Sequence, residues 1–106
     1  MTETKIYVGL NDSESRAQKF DTGKYMRILR EVCRNYHVPF SFVTEEGGYI
    51  HEDGEYVQET SLVISFIDVD SALIEEIAKD LCVFFHQESV LITEGEIRAY
   101  FITEKI

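Results

Sequence analysis

Apolar residues alternate with polar ones at Ile6, Val8 and Leu10, and an apolar run returns from Leu62 to Ile67. Each run is followed by a stretch whose apolar positions recur every three or four residues. Alternation marks a strand with one face on a core, and the longer period marks an amphipathic helix. The chain therefore reads strand-helix-strand twice, the order of a split β-α-β sandwich.

The first predicted strand, Lys5 to Leu10, turns Ile6, Val8 and Leu10 toward the helices and Lys5, Tyr7 and Gly9 away from them. Asn11 to Lys19 is polar and irregular. Asp21 or Thr22 then caps a helix running to about Tyr36, with Tyr25, Ile28, Leu29, Val32, Cys33 and Tyr36 on its apolar side. His37-Val38-Pro39 ends it, because the residue before a proline is pushed out of the helical region. Phe40 to Val43 opens the second strand, Gly47-Gly48 suggests a bulge or bend, and Tyr49 to His51 continues the strand into an Asp53-Gly54 turn. The third strand, Tyr56 to Ile67, is apolar on both sides in its latter half, as expected at the centre of a sheet. A second helix, about Ala72 to His86, keeps Ile74, Ile77, Ala78, Leu81 and Phe85 together, and a last strand spans about Val90 to Ile102, with Gly95 as a point of interruption.

Right-handed crossovers arrange these pieces as one α+β domain, residues 1–106: a four-stranded antiparallel sheet of order 4-1-3-2 with both helices on one face. The other face would carry Tyr7, Val63, Ser65, Ile67, Arg98 and Tyr100, a set too apolar to stay wet. The expected cover is a second copy of the chain, as a homodimer.

Charge narrows the partners. The chain has a net charge of -10, and the two parts differ: residues 1–38 hold seven Lys or Arg against five Asp or Glu, residues 39–106 three against fifteen. Such a surface repels nucleic acid and anionic lipid, apart from a cationic stripe of Lys24, Arg27, Arg30 and Arg34 on the first helix. Cys33 and Cys82 are far apart and sit among apolar neighbours, the usage of a reduced, cytoplasmic protein. The sequence shows neither a leader pattern at Met1-Thr2-Glu3-Thr4-Lys5 nor an apolar run of the ~20 residues needed to span a bilayer.

Three groupings invite chemistry. Ile6-Tyr7-Val8-Gly9-Leu10 imitates the first strand of RNA-recognition motifs, but Thr60 to Ile67 lacks the basic residue, glycines and aromatics their third strand uses, so RNA is set aside. Cys33 and His37 have a spacing that could serve a metal, yet Cys33 belongs to the apolar stripe and no further ligand follows, so neither metal nor cofactor is expected. The topology gathers Asp12, Glu59, Ser61, Gln87, Glu88 and Ser89 at one pole. Such a set can bind a cation or act as acid and base, and it can equally satisfy loose backbone groups; the bracing role is the simpler reading.

Lys5-Ile6-Tyr7-Val8-Gly9-Leu10, Gly48-Tyr49, Glu59-Thr60-Ser61 and Phe85-His86-Gln87-Glu88-Ser89-Val90 together resemble the DUF3574 family of small bacterial proteins, with Val8 and Tyr49 where its pattern has Phe and Trp. The resemblance implies a ferredoxin-like fold without an established activity, and singles out Glu59, Ser61, Gln87, Glu88 and Ser89 as ligand-binding positions. The leading expectation is a protein that works by binding or self-association through its open sheet face. One alternative is a small-molecule enzyme or binder of the dimeric α+β-barrel type, its cavity lined by Tyr7, Arg98 and Tyr100. Another is an acidic protein docking on a basic partner. With no nucleophile-base pair or phosphate loop, the sequence assigns no reaction.

Overall fold

Six elements follow one another: β1 (Thr2–Gly9), α1 (Thr22–Asn35), β2 (Ser41–Ile50), β3 (Tyr56–Ile67), α2 (Ser71–Phe84) and β4 (Leu91–Glu96). They are seen in a computed structural model that describes residues 1–104. All strand pairs are antiparallel and the order is β2-β3-β1-β4, which from the other edge is the predicted 4-1-3-2. The fold is ferredoxin-like α+β.

Local signals fix the helices. The Asp21 carboxylate accepts a hydrogen bond from the Lys24 amide and that of Asp70 from the Ala72 amide, satisfying donors that a first turn leaves open. Both helices then turn one stripe onto the sheet. Tyr25, Leu29, Val32 and Cys33 of α1 and Ile74, Ile77, Ala78 and Leu81 of α2 are buried against Ile6 and Val8 of β1 and Leu62, Ile64 and Phe66 of β3. Tyr25 meets Phe85 edge-on, with ring centres 5.1 Å apart, and the Tyr36 hydroxyl donates to Asp80 Oδ2 at 2.7 Å, tying the end of α1 to α2.

The register defines what stands outside this core. β1 pairs with β3 from Glu3↔Ile67 to Gly9↔Ser61, whereas β2 and β3 stay paired from Ser41↔Ser65 out to Ile50↔Tyr56. Beyond Gly9 the hairpin is therefore a two-stranded arm, closed by a turn in which the His51 amide bonds the Glu55 carbonyl and Gly54 takes a positive φ of 85°. A two-stranded ribbon is marginally stable alone, so the arm depends on bracing from its base.

Two expectations are corrected. The β2–β3 ladder runs without a bulge: Gly47 lies opposite Glu59, and the space a Gly48 side chain would fill is taken by the Tyr56 phenol. The last strand stops at Glu96, which pairs with Thr2, the first residue of β1; past it Ile97 still meets Met1, its amide donating to the Met1 carbonyl and its carbonyl accepting from the Met1 amino group. Arg98 and Tyr100 thus follow the sheet instead of standing on its open face. That face is made by Tyr7, Val63, Ser65 and Ile67 as predicted, joined by Val43 and Leu91. Among the described residues no helix is long and apolar enough to cross a membrane.

The core makes a direct forecast. Leu29→Ala should lower unfolding free energy by about 2–5 kcal/mol, the usual consequence of an unfilled cavity at a fully buried leucine. Val83→Ala, on an outward-facing helical position, should change it by no more than about 0.5 kcal/mol. Denaturant titrations of both variants measure the contrast.

Candidate functional site

The arm, the loop leaving β1 and the junction between α2 and β4 meet at one pole and enclose an open cleft of about 260 Å³. Asn11, Asp12, Ser13 and Arg16 line it from the loop, Tyr49, His51 and Glu59 from the arm, and Gln87, Glu88 and Ser89 from the junction. Of the predicted pole residues, Asp12, Glu59, Gln87, Glu88 and Ser89 are brought together. Ser61 is not: it pairs with Gly9 and Glu45 inside the sheet and does not reach the cleft.

Gly9 is the reason Glu59 can be where it is. A Cβ built on Gly9 would overlap the Glu59 carboxylate, so the strand must lack a side chain there for the carboxylate to lie against β1. In that position Glu59 Oε2 accepts from the Asn11 amide at 3.0 Å, while Asn11 Nδ2 donates to the Gln58 carbonyl at 3.1 Å. Gln87 completes the joint: its Nε2 donates to the Asn11 carbonyl at 2.5 Å and to the Phe85 carbonyl at 3.3 Å. The expected bracing of backbone groups is thus present in Glu59 and Gln87. Glu88 and Ser89 line the cleft without side-chain hydrogen bonds to the described residues.

Asp12 organises the loop. Its buried carboxylate accepts from the Glu14 and Ser15 amides at 2.9 and 3.2 Å, with Lys19 Nζ at 3.3 Å and His86 Nδ1 at 3.5 Å. The Arg16 amide bonds the Asp12 carbonyl at 2.8 Å, and Arg16 holds a φ of 58°, a conformation uncommon for a residue with a side chain. Its guanidinium crosses to the arm, where Nη1 lies 3.3 Å from Asp53 Oδ2. Nearby, the buried His51 Nδ1 has no hydrogen-bond partner, its nearest charged neighbour being Asp53 Oδ1 at 3.6 Å.

The carboxylates are pushed in opposite directions. The Ser15 and Glu14 amides, helped by Lys19, hold Asp12 below the usual carboxylate range. Burial raises Glu59, and the single bond from Asn11 only partly offsets it. One group is firmly ionised; the other resists ionisation and gains most from a cation placed beside it. Elsewhere, burial pushes the Cys33 thiol up to about 11, which removes the Cys33–His37 pair as a thiolate site. Among the described residues there is no group of three or more His, Cys, Asp or Glu side chains arranged to hold a metal ion.

Sequence reasoning did not single out Asn11, Arg16, Tyr49 or His51 as site residues. The polar run from Asn11 to Lys19 was the available signal for the first two. Tyr49 and His51 become visible only once the arm is known to stay in register to its tip.

No protein-family model matches the chain, and no curated protein matches it in sequence. Solved structures do match in fold. A phage SAM lyase in complex with S-methyl-5'-thioadenosine superposes with a TM-score of 0.72 at 24% identity, over 90% of this chain and 80% of that one. The periplasmic divalent cation tolerance protein CutA from Archaeoglobus fulgidus gives 0.57 at 13% identity, over 93% and 87%. A B. subtilis GlnK–ATP complex gives 0.55 at 16% identity, over 91% and 82%.

The opposed carboxylates predict a pH signature. Glu59 has its pKa raised by folding, so the folded chain keeps that proton longer than the unfolded one. Its contribution to stability is therefore full at low pH and is lost as pH rises through the raised value. Glu59→Gln should become steadily more stable relative to the natural chain as pH rises from the ordinary glutamate value of about 4.3 through the raised one and should then level off, in urea titrations at stepped pH. A constant difference would show that this carboxylate is as well solvated folded as unfolded.

Proposed function

We propose that the cleft binds S-adenosylmethionine and releases S-methyl-5'-thioadenosine, a lyase activity of the kind named for the phage structure. The observation that carries this reading is electrostatic. Asp12, Glu59 and Glu88 line the cleft against Arg16 as its one cationic lining residue, and Glu59 is short of solvation and of charge partners. A triphosphate ligand, as in the GlnK complex, would meet net negative charge there. A bare divalent ion would find the Asp12 oxygens already occupied by two amides, Lys19 and His86. A sulfonium with an α-ammonium group is cationic at both centres and complements the lining.

The chemistry suits such a cleft. The sulfonium is a leaving group as it stands: when its bond to the aminobutyryl carbon breaks, the electron pair returns to sulfur and leaves a neutral thioether. The substrate's own carboxylate oxygen can take up that carbon, closing a lactone. Atoms and charge balance without water, acid or base, so a site with no serine or cysteine hydrogen-bonded to a histidine among its described residues is adequate. The protein's task is to fold the substrate and to hold negative charge beside the cation.

Incubation of the protein with S-adenosylmethionine should accumulate S-methyl-5'-thioadenosine, followed by liquid chromatography and mass spectrometry. Glu59→Gln should retain the fold and lose activity by about 100-fold or more, as is typical when one preorganised electrostatic partner is removed. No product from the natural chain would end the reading.

A second reading concerns the open face. Val43, Leu91 and Ile67 are 61%, 59% and 42% exposed there, side by side with Tyr7 and Val63. We infer that this face packs against a second copy of the chain. Tyr49 and Glu59 project to the same side of the arm, so such packing also borders the cleft. Val43→Asp should leave the monomer folded and weaken association by about tenfold or more, since the carboxylate would be buried unpaired; sedimentation equilibrium reads the change. A natural chain that stays monomeric at tens of micromolar would exclude the interface.

A further inference from the structure

We propose that Arg16 is the residue that recognises the α-carboxylate of the ligand in this cleft, so that the site selects a zwitterionic amino-acid group and not merely a nucleoside; the inference rests on the S-adenosylmethionine reading above. Three observations converge on it. First, Arg16 is the one cationic residue in a cleft lined by Asp12, Glu59 and Glu88. A ligand carrying both signs of charge on one carbon therefore has a single place for its anionic end and several for its ammonium. A guanidinium presents donors in a planar fork that matches a carboxylate, and only one of them is engaged here, by Asp53 at 3.3 Å on an exposed part of the arm.

Second, the loop is built to present this side chain. The Asp12 carboxylate fixes the Glu14 and Ser15 amides, the Asp12 amide bonds the Ala17 carbonyl, and Arg16 is held at a positive φ by its own amide on the Asp12 carbonyl. A left-handed backbone at an arginine persists only where surrounding bonds impose it, and such positions gather at ligand sites. Third, the present partner is one a ligand can replace. Asp53 is half-exposed, and its carboxylate also accepts from the Glu55 amide at 2.9 Å, so it stays satisfied when Arg16 turns to a bound carboxylate. An exchange of one carboxylate for another keeps the guanidinium paired throughout. The clamp also orients the carboxylate so that a lone pair on one of its oxygens can reach the carbon bonded to sulfur. Arg16 is in this sense a positioning residue.

The test separates the carboxylate from the rest of the ligand by titration calorimetry with three stable probes. Sinefungin keeps the amino-acid group and has no sulfonium bond to break, decarboxylated S-adenosylmethionine lacks the carboxylate, and S-methyl-5'-thioadenosine lacks the whole side chain. Arg16→Gln should bind sinefungin at least about tenfold more weakly than the natural chain, the loss expected of a charge-assisted pair. The other two probes should bind both proteins alike to within about twofold. Equal sinefungin binding by both proteins overturns the inference, and so does a parallel loss for all three probes, which would mean that Arg16 supports the cleft as a whole. If the natural chain binds none of the three, the S-adenosylmethionine reading itself fails and takes this inference with it.

Discussion

The contact on which the rest of this molecule turns is that between Gly9 and Glu59. At the last residue of β1 the strand gives up its side chain, and a carboxylate from the neighbouring strand fills the vacated place. Three results follow from that one substitution of groups. The Asn11 amide, which has no sheet partner once β1 ends, finds an acceptor. The arm is braced where it leaves the core. An ionisable group is drawn in from water without a counter-charge, and that unpaired state is what the proposed ligand would relieve.

The same residues therefore hold the fold together and furnish the cleft. Gln87 joins the exit of β1 to the exit of α2 through two carbonyls, and Asp12 gathers two amides, a lysine and a histidine around one side chain. The consequence is a division of labour between two acids about which composition says nothing. Asp12 is saturated with donors and serves the loop, while Glu59 has one donor and is available to a ligand. The likeness to solved structures of low identity establishes the frame on which this is built; the distinction between the two acids belongs to this chain's own contacts.

Most of the frame was legible in the sequence because it follows from periodicity. Ile6 and Val8 alternate, Leu29, Val32 and Cys33 recur at helical spacing, and the core takes both patterns as read. What failed to be legible depends on partners. Ile97 to Ile102 has the composition of a strand, yet its pairing with β1 ends at Thr2↔Glu96 with Ile97 meeting Met1, so Arg98 and Tyr100 lose the sheet position their alternation suggested. Gly47-Gly48 looks like a bulge by composition, yet the ladder passes straight through, Gly47 pairing with Glu59 and Gly48 with Gln58, and the Tyr56 phenol lies where a Gly48 side chain would be. At the site, topology alone collected Glu59, Gln87, Glu88 and Ser89 and misplaced Ser61, which shares the face of Glu59 but lies two residues further into the sheet, between Gly9 and Glu45 and away from the cleft. Arg16 stayed hidden because its placement comes from an irregular loop tied by Asp12.

The long in-register hairpin also bears on how copies of this chain meet. β2 is an outer strand, and its unpaired backbone edge would ordinarily be a template onto which another strand could add. Glu45 and Glu46 stand on that strand, and Glu52, Asp53 and Glu55 crowd the turn beyond it. Two such edges brought together would align rows of like charge, whereas the faces of the same sheets carry valines, isoleucine and leucine. The acidity of the hairpin is in this light a rule of assembly written along one margin of the sheet: it closes the margin to further strands and leaves the flat of the sheet for the association proposed above.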